Sequence, residues 1–164
     1  MIDKEDLKNN LEMVQKWIGL VDQKVSIFLA FQGVVLTLLL PKMFLWIVKN
    51  LFNFDNKELI LLVSGFVLII FSLYKSILTI LPKLSKSKKT KSITYFKDIA
   101  DFKFEDFKKI LGGINLTEYR NELIEQIYLS SKIATRKHYQ FRDSVFIFFI
   151  GLFLLMLNYI LFYI

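Results

Sequence analysis

The sequence predicts an all-α integral membrane protein with three transmembrane helices and a small cytoplasmic region. Its 164 residues are 54% hydrophobic, which is more apolar than an ordinary soluble domain. Three segments have the length and apolar character of a bilayer-spanning helix, which takes about 20 residues. The chain has no cysteine and a single histidine, which excludes disulfides and disfavours a Cys/His metal site. We therefore expect no cofactor and no thiol chemistry.

The first element is a polar cytoplasmic helix, residues 1–24, that leads into a first span at residues 25–48. The N-terminal letters MIDKEDLKNNLEMVQ lack the apolar core of a cleavable signal peptide, so we expect the mature chain to begin at residue 1. Pro41 interrupts the apolar run of the first span. Because proline removes a backbone donor, we expect this helix to kink or end near that residue.

The second and third spans are residues 59–81 and 144–164. Between them, residues 82–143 contain 14 Lys and Arg against eight Asp and Glu. The positive-inside rule places this basic region in the cytoplasm, which gives an N-in, C-out topology. Lys75 lies in the second span, six residues from its cytoplasmic end. Its side chain can reach the basic surface, although a role in a pore stays open.

Small and polar residues form one stripe on each of the three predicted spans. A helix turns by about 100° per residue, so residues three and four apart share a face. The stripe of the first helix is Gln15, Gly19, Asp22, Ser26, Ala30, Gly33 and Thr37. The stripes of the second and third spans are Gly65, Ser72, Ser76 and Thr79, and Ser144, Gly151 and Asn158. Such stripes suit close helix packing, but three of them in a small chain favour an oligomer in which one stripe lines a central path.

The basic region divides into three predicted parts. Residues 83–91 hold five lysines and form either a ligand-binding tether or only a topology signal. Residues 93–96 are expected to be extended, and a short helix should run from about Phe104 to the pair of glycines at 112 and 113. Asn115 and Glu118 have the spacing of a capping box, which starts a helix that continues without a breaker into the third span.

The predicted last helix has two polar faces of different character. One carries mixed charges typical of a solvated surface: Glu118, Glu125, Lys132, Arg136 and Asp143. The other places Gln126 and Lys137 among apolar residues. Asp22 and Lys137 both precede a span by a few residues, and an unpaired charge there would be costly. We expect these two residues to form an ion pair, within or between subunits, that either fixes helix register or belongs to a gate.

Three motifs resemble a known family. The first is W(I)xxxDxKxSxxLAxxG, carried by Trp17, Asp22, Lys24, Ser26, Leu29, Ala30 and Gly33; the others are YFKDIA at residues 95–100 and QIYLSSKIATRK at residues 126–137. Together they resemble Pycsar-type membrane effectors, among whose relatives are the Hailong-type channel effectors. The resemblance implies a bacterial anti-phage effector of the inner membrane. A partner nucleotidyltransferase or cyclase would make the nucleotide messenger that controls it, and in Hailong-type relatives single-stranded DNA oligomers take that role.

Basic and aromatic residues are the candidate ligand-binding groups, because lysines attract phosphates and aromatic rings stack on bases. The candidates are Lys24, Arg120, Lys137, Arg142, Lys86, Lys88, Lys89, Lys91, Tyr95 and Trp17. Anionic lipid headgroups would attract the same lysines. No nucleophile, metal set or phosphate loop is discernible, so we do not expect an enzyme.

The sequence thus predicts a homo-oligomer, most simply a tetramer, that forms a messenger-controlled ion channel. Ser26, Gly33 and Thr37 are the residues expected to line its pore or to pack its helices, and Asp22 with Lys137 is the expected gate. A holin-like or purely structural membrane protein is the alternative.

Overall fold

A computed structural model describes residues 3–50, 56–81 and 92–163. These residues form five helices and no strand: α1 (Lys4–Asn50), α2 (Asn56–Ile80), α3 (Phe96–Ala100), α4 (Phe104–Gly113) and α5 (Leu116–Tyr163). The predicted all-α class is confirmed.

Three of the helices are long and apolar enough to cross a membrane. The segments with this character are Lys4–Pro41 in α1, Lys57–Ile80 in α2 and Leu116–Leu161 in α5. The protein is therefore a multi-pass membrane protein with the predicted number of spanning helices. The residues at which each helix crosses the membrane surface, and the N-in, C-out topology, stay predictions.

Helix α1 does not end at Pro41, since that residue lies inside a helix that continues to Asn50. In a bilayer the backbone finds hydrogen-bond partners only within the protein, so a spanning segment stays helical past a proline more readily than a soluble one. That the first span extends past Pro41 to residue 48 stays a prediction. Of the two expected outcomes the end is wrong, and the kink stays a prediction.

Helix α5 begins with the capping box that the sequence predicted. The Glu118 backbone N–H donates to Asn115 Oδ1 at 2.8 Å, and the Asn115 N–H donates to Glu118 Oε2 at 3.2 Å. These two bonds satisfy backbone donors that a helix start leaves without partners. From there α5 runs for 48 residues without interruption, as expected.

The chain divides into two compact units. One, the polar unit, contains Met1–Leu20 and Pro82–Arg136, and the other, the membrane unit, contains Val21–Leu81 and Lys137–Ile164. The buried apolar residues of the polar unit are Leu7, Ile93, Leu123 and Ala134 among those that the structure describes.

Residues 93–96, in the polar unit, were expected to be extended, and this prediction is wrong. The Ser92 hydroxyl accepts the backbone N–H groups of Thr94 and Tyr95, both at 3.2 Å. The Ser92 N–H in turn donates to the Asp98 carboxylate at 2.9 Å. Because such local side-chain bonds compete with extended backbone, residues 93–95 bend and lead directly into α3. The next helix, α4, ends at the second glycine as predicted.

Candidate functional site

Helices α2 and α5 meet in direct backbone contact at two glycines. A Cβ atom placed on Gly151 would lie 2.8 Å from the carbonyl oxygen of Gly65 and 2.9 Å from Ile69 Cγ1. A Cβ atom on Gly65 would lie 2.8 Å from Leu155 Cδ2. Only glycine allows this approach, which is the typical use of small residues between membrane helices.

Three buried serines join the same two helices through hydrogen bonds. The Ser72 hydroxyl donates to the Ser144 carbonyl at 2.6 Å, and the Ser144 hydroxyl donates to the Ser72 carbonyl at 2.9 Å. The Ser76 hydroxyl lies 2.6 Å from that of Ser144. All three side chains are fully buried. We call these three residues the serine network; it makes α2 and α5 one closely joined pair.

Gln32 of α1 reaches the serine network from the third helix. Its Nε2 donates to Ser72 Oγ at 2.8 Å, and the residue is fully buried. Its Oε1 is also buried and finds no hydrogen-bond donor among the residues that the structure describes. The amide of Gln32 is therefore only half satisfied inside the membrane unit.

Aromatic rings also connect α1 to α5 in the membrane unit. The Phe28 ring packs edge-on against Phe148 at 5.4 Å and against Phe141 at 5.9 Å between centroids. Phe31 contacts Phe148 at 5.8 Å. Such edge-to-face pairs stabilise packing but define the position of a helix less sharply than hydrogen bonds do.

Asp22 and Lys137 form an ion pair within one chain. Lys137 Nζ lies 2.5 Å from Asp22 Oδ1, and their side chains are 13% and 35% exposed, respectively. This is the contact expected from their positions before the two spans; a role in a gate is a separate matter and stays a prediction. A second ion pair joins α2 to α5: Lys75 Nζ lies 3.3 Å from Asp143 Oδ2.

The stripe of α1 differs from those of α2 and α5 because, from Ser26 onward, the residues that the structure describes do not cover it. Ser26, Ala30, Gly33 and Thr37 are exposed. No described atom comes within 4 Å of a Cβ placed on Gly33. The Ser26 and Thr37 hydroxyls donate to backbone carbonyls one turn earlier, at 2.9 and 2.8 Å. The packing interpretation thus holds for the stripes of α2 and α5, whereas these four positions of α1 are exposed among the described residues.

The sequence was compared with models of known protein families. Residues 6–164 match the model described as the Pycsar effector protein domain. The chain belongs to the Pycsar effector family. No curated protein and no solved structure matches it. The resemblance carried by the three motifs is confirmed, and a Pycsar effector domain with three membrane-spanning helices fits a membrane effector in anti-phage defence.

The described candidate ligand residues of this Pycsar effector domain are divided between the two units. Trp17, Tyr95 and Arg120 belong to the polar unit, while Lys24, Lys137 and Arg142 belong to the membrane unit. Trp17, Lys24 and Arg142 are exposed, and Tyr95 and Arg120 are half-buried. Lys86, Lys88, Lys89 and Lys91 lie outside the described residues. Their part in binding stays a prediction.

Arg120 lies in a groove of the polar unit. The groove has a volume of about 390 Å³ and is lined by Leu7, Asn10, Arg120, Ile124 and Ile127. One guanidinium and one amide thus face a mainly apolar wall. Among the residues that the structure describes, no three His, Asp or Glu side chains come together as a metal ion would require.

The polar side chain of Gln126, which lies among apolar residues in the polar unit, has Ser92 as its hydrogen-bond partner. Its Nε2 donates to Ser92 Oγ at 3.2 Å, and the Ser92 hydroxyl donates to Glu122 Oε2 at 2.7 Å. Thr94 Oγ1 lies 3.3 Å from the same carboxylate oxygen. These bonds fasten the segment before α3 onto α5, so Gln126 is a structural partner here.

Gln32 is the site residue that the sequence reasoning missed. It lies off the small-residue stripe of α1, on the face that also buries Val21 and Val25. An amide on the buried face of an apolar span was the available signal, because such a group needs partners inside the protein.

Proposed function

We propose that this Pycsar effector domain assembles as a homo-oligomer into an ion channel in the bacterial inner membrane. A nucleotide or single-stranded oligonucleotide messenger controls the channel, either opening it or holding it closed. The observation that carries the proposal is the exposed stripe of α1, read together with membership of the effector family.

The oligomer follows from the contacts that each chain leaves unused. One chain has three spanning helices, which are too few to enclose an aqueous path. The small-residue stripes of α2 and α5 pack against each other within the chain. In an oligomer, most simply a tetramer, the α1 stripes of several chains meet around one axis. Ser26, Gly33 and Thr37 then offer hydroxyl oxygens and backbone to water, as residues that line a pore do.

Control by a messenger is supported by charge. The chain has a formal net charge of +7, and its basic region would attract phosphates. Lys24 and Arg142 are exposed and follow Asp22 and Lys137 closely in the sequence. A ligand phosphate is an anionic partner equivalent to a carboxylate, so it can replace Asp22 beside Lys137 and change the register of the two helices. A partner nucleotidyltransferase or cyclase supplies the messenger.

The stripe is tested by ion flux from proteoliposomes with Gly33→Leu. A leucine there narrows a path lined by the stripe and separates α1 helices that pack through it, so we expect flux to fall at least tenfold. Val34→Leu is the matched control, because Val34 is exposed on the neighbouring apolar face of α1. The ion flux of this variant should stay at the wild-type level.

Native mass spectrometry of the same variants separates a pore from a packing role. A tetramer that persists in Gly33→Leu while flux is lost assigns the stripe to the pore, and loss of the tetramer assigns it to the interface. Unchanged flux and unchanged mass would contradict both roles and with them this proposal.

A further inference from the structure

We propose that, within the membrane unit, α1 is the movable helix and the Gln32 side chain is the latch that holds it against a rigid pair formed by α2 and α5. The inference about which helix moves rests on the structure alone. Its consequence, that release of the latch gates the channel, rests on the proposed function.

The rigidity of the α2–α5 pair comes from specific contacts along most of its length. The reciprocal hydroxyl–carbonyl bonds of Ser72 and Ser144 fix the two backbones in both directions. Toward the other end, Asn158 Nδ2 donates to the Glu58 carbonyl at 3.0 Å. Between them the backbones touch at Gly151, where no side chain intervenes. A shift of either helix would break all of these contacts together.

Within the membrane unit, helix α1 is attached to this pair mainly through side chains, without the backbone contact that joins α2 to α5 at Gly65 and Gly151. In the membrane unit, polar contacts between α1 and the pair include Asp22 with Lys137 and Gln32 with Ser72. The two contacts are ten residues apart on α1, or about 15 Å by helical rise. The rest of the attachment described for α1 includes the phenylalanine rings, which can slide past one another without leaving a polar group unpaired.

The Gln32 amide makes the docked position of α1 an energetic compromise. Its Oε1 has no donor, and exchanging the amide oxygen and nitrogen does not help. After such an exchange Nε2 would be the unpaired atom, and the Ser72 proton would have to leave the Ser144 carbonyl to reach Oε1. Either way one polar atom of the amide stays unpaired in a medium without water, which costs free energy.

Two arrangements of α1 follow from this compromise. In the docked arrangement Gln32 donates to the serine network and leaves its oxygen unpaired. In the released arrangement water or another donor reaches that oxygen, while the serines keep the bonds they make to each other. Because the α2–α5 pair does not need Gln32 to satisfy its own hydroxyls, it stays intact when α1 moves.

The test measures distances between pairs of spin labels in lipid nanodiscs. Because the chain has no cysteine, introduced cysteines carry the only labels. The pair Ile27→Cys with Phe146→Cys reports α1 against α5, and the pair Ile77→Cys with Phe146→Cys reports α2 against α5. All three positions are exposed, and dilution with unlabelled chain suppresses signals between copies.

The decisive variant is Ser72→Ala, which removes the acceptor of the Gln32 Nε2 hydrogen bond and leaves both polar atoms of the amide unpaired in the docked arrangement. The Ser144 hydroxyl keeps its bond to the backbone carbonyl of residue 72, so the α2–α5 pair stays joined. We expect a second α1–α5 distance whose population is at least threefold larger than in the wild type, with the α2–α5 distance unchanged. Gln32→Met is the matched variant, since it keeps the length of the side chain but removes both polar atoms and with them the compromise; its second-distance population should not exceed that of the wild type. Asn158→Leu is the control, since it removes a buried amide that joins α2 to α5 and should not change the α1–α5 distance.

The inference is overturned if Ser72→Ala leaves the two distances as in the wild type or shifts both together, or if Gln32→Met releases α1 as Ser72→Ala does. Ion flux is recorded on the same samples and separates this result from the channel proposal. A protein that conducts no ions but shows the selective α1 movement would contradict the channel and keep the latch. A protein that conducts ions but shows no selective α1 movement would contradict the latch and keep the channel.

Discussion

Lys137 depends on Asp22 more than Asp22 depends on Lys137, because the lysine side chain is 13% exposed and the aspartate side chain 35%. We predict that Asp22→Asn removes the negative charge and destabilises the membrane unit by about 1–3 kcal/mol, the usual cost of a buried polar group that loses its partner. If the pair belongs to a gate, the same change alters toxicity in a bacterial host or its dependence on messenger, while the oligomer persists. Thermal unfolding and growth after induction measure the two effects.

Lys24→Gln is the matched control for this charge, since Lys24 is exposed two residues away. The double variant Asp22→Lys with Lys137→Asp should restore stability but not ligand control, because a ligand phosphate would then face an aspartate. Wild-type toxicity and ligand response in Asp22→Asn would leave the ion pair as an anchor of helix register only.

Residue-scale prediction from the sequence succeeded where a charge had few possible partners and failed where a neutral amide had many. Asp22 and Lys137 were expected to meet because both charges lie beside spans that offer few alternatives. Gln32 was missed because the search followed small residues along the stripe of α1, and this amide lies on another face. Its partner, Ser72, belongs to a helix 40 positions away, a distance that a pattern within one helix does not report.

At the scale of the helices, an added methyl group should destabilise the protein at Gly151, which lies in a tight helix contact, and have little effect at Gly33, which does not. We predict that Gly151→Ala separates α2 from α5, because its Cβ would meet the Gly65 carbonyl oxygen at 2.8 Å and backbone cannot turn aside as a side chain can. The expected loss is about 1–3 kcal/mol, as for other overpacked sites. It is measured by thermal or denaturant unfolding in detergent.

Gly33→Ala is the control for that change, since no described atom lies within 4 Å of its added Cβ. The stability of the single chain should stay within about 0.5 kcal/mol of the wild type, as for changes away from close contacts. Equal losses in Gly33→Ala and Gly151→Ala would show that the α2–α5 contact is not the tight one.

The helices were predictable where local chemistry decided them. Asn115 and Glu118 begin α5 as expected because each satisfies the other's backbone donor. The bend at residues 93–95 was not predicted, since it depends on Ser92, whose hydroxyl is itself fixed by Glu122 on a distant part of the chain. The end expected at Pro41 was wrong because a rule from soluble helices was applied to a membrane span.

For the whole molecule, composition and apolar segment length were sufficient to predict a three-span helical membrane protein. They did not predict that the stripes of α2 and α5 would cover each other through Ser72 and Ser144 while that of α1 stays exposed. All three stripes look alike in sequence, so only the packing distinguishes them. That distinction is the reason for proposing that α1 faces other copies of the chain.

The most direct test of a messenger-controlled channel is the current across a planar bilayer that contains the purified protein. Cyclic nucleotides and short single-stranded oligonucleotides are added one at a time to the side that carries the basic region. We predict stepwise currents that at least one of these ligands switches on or off, with an effect that weakens as salt rises, because phosphate contacts are screened. Currents that every nucleotide leaves unchanged would contradict messenger control and favour a holin-like protein, and the absence of any current with every ligand would contradict the channel itself.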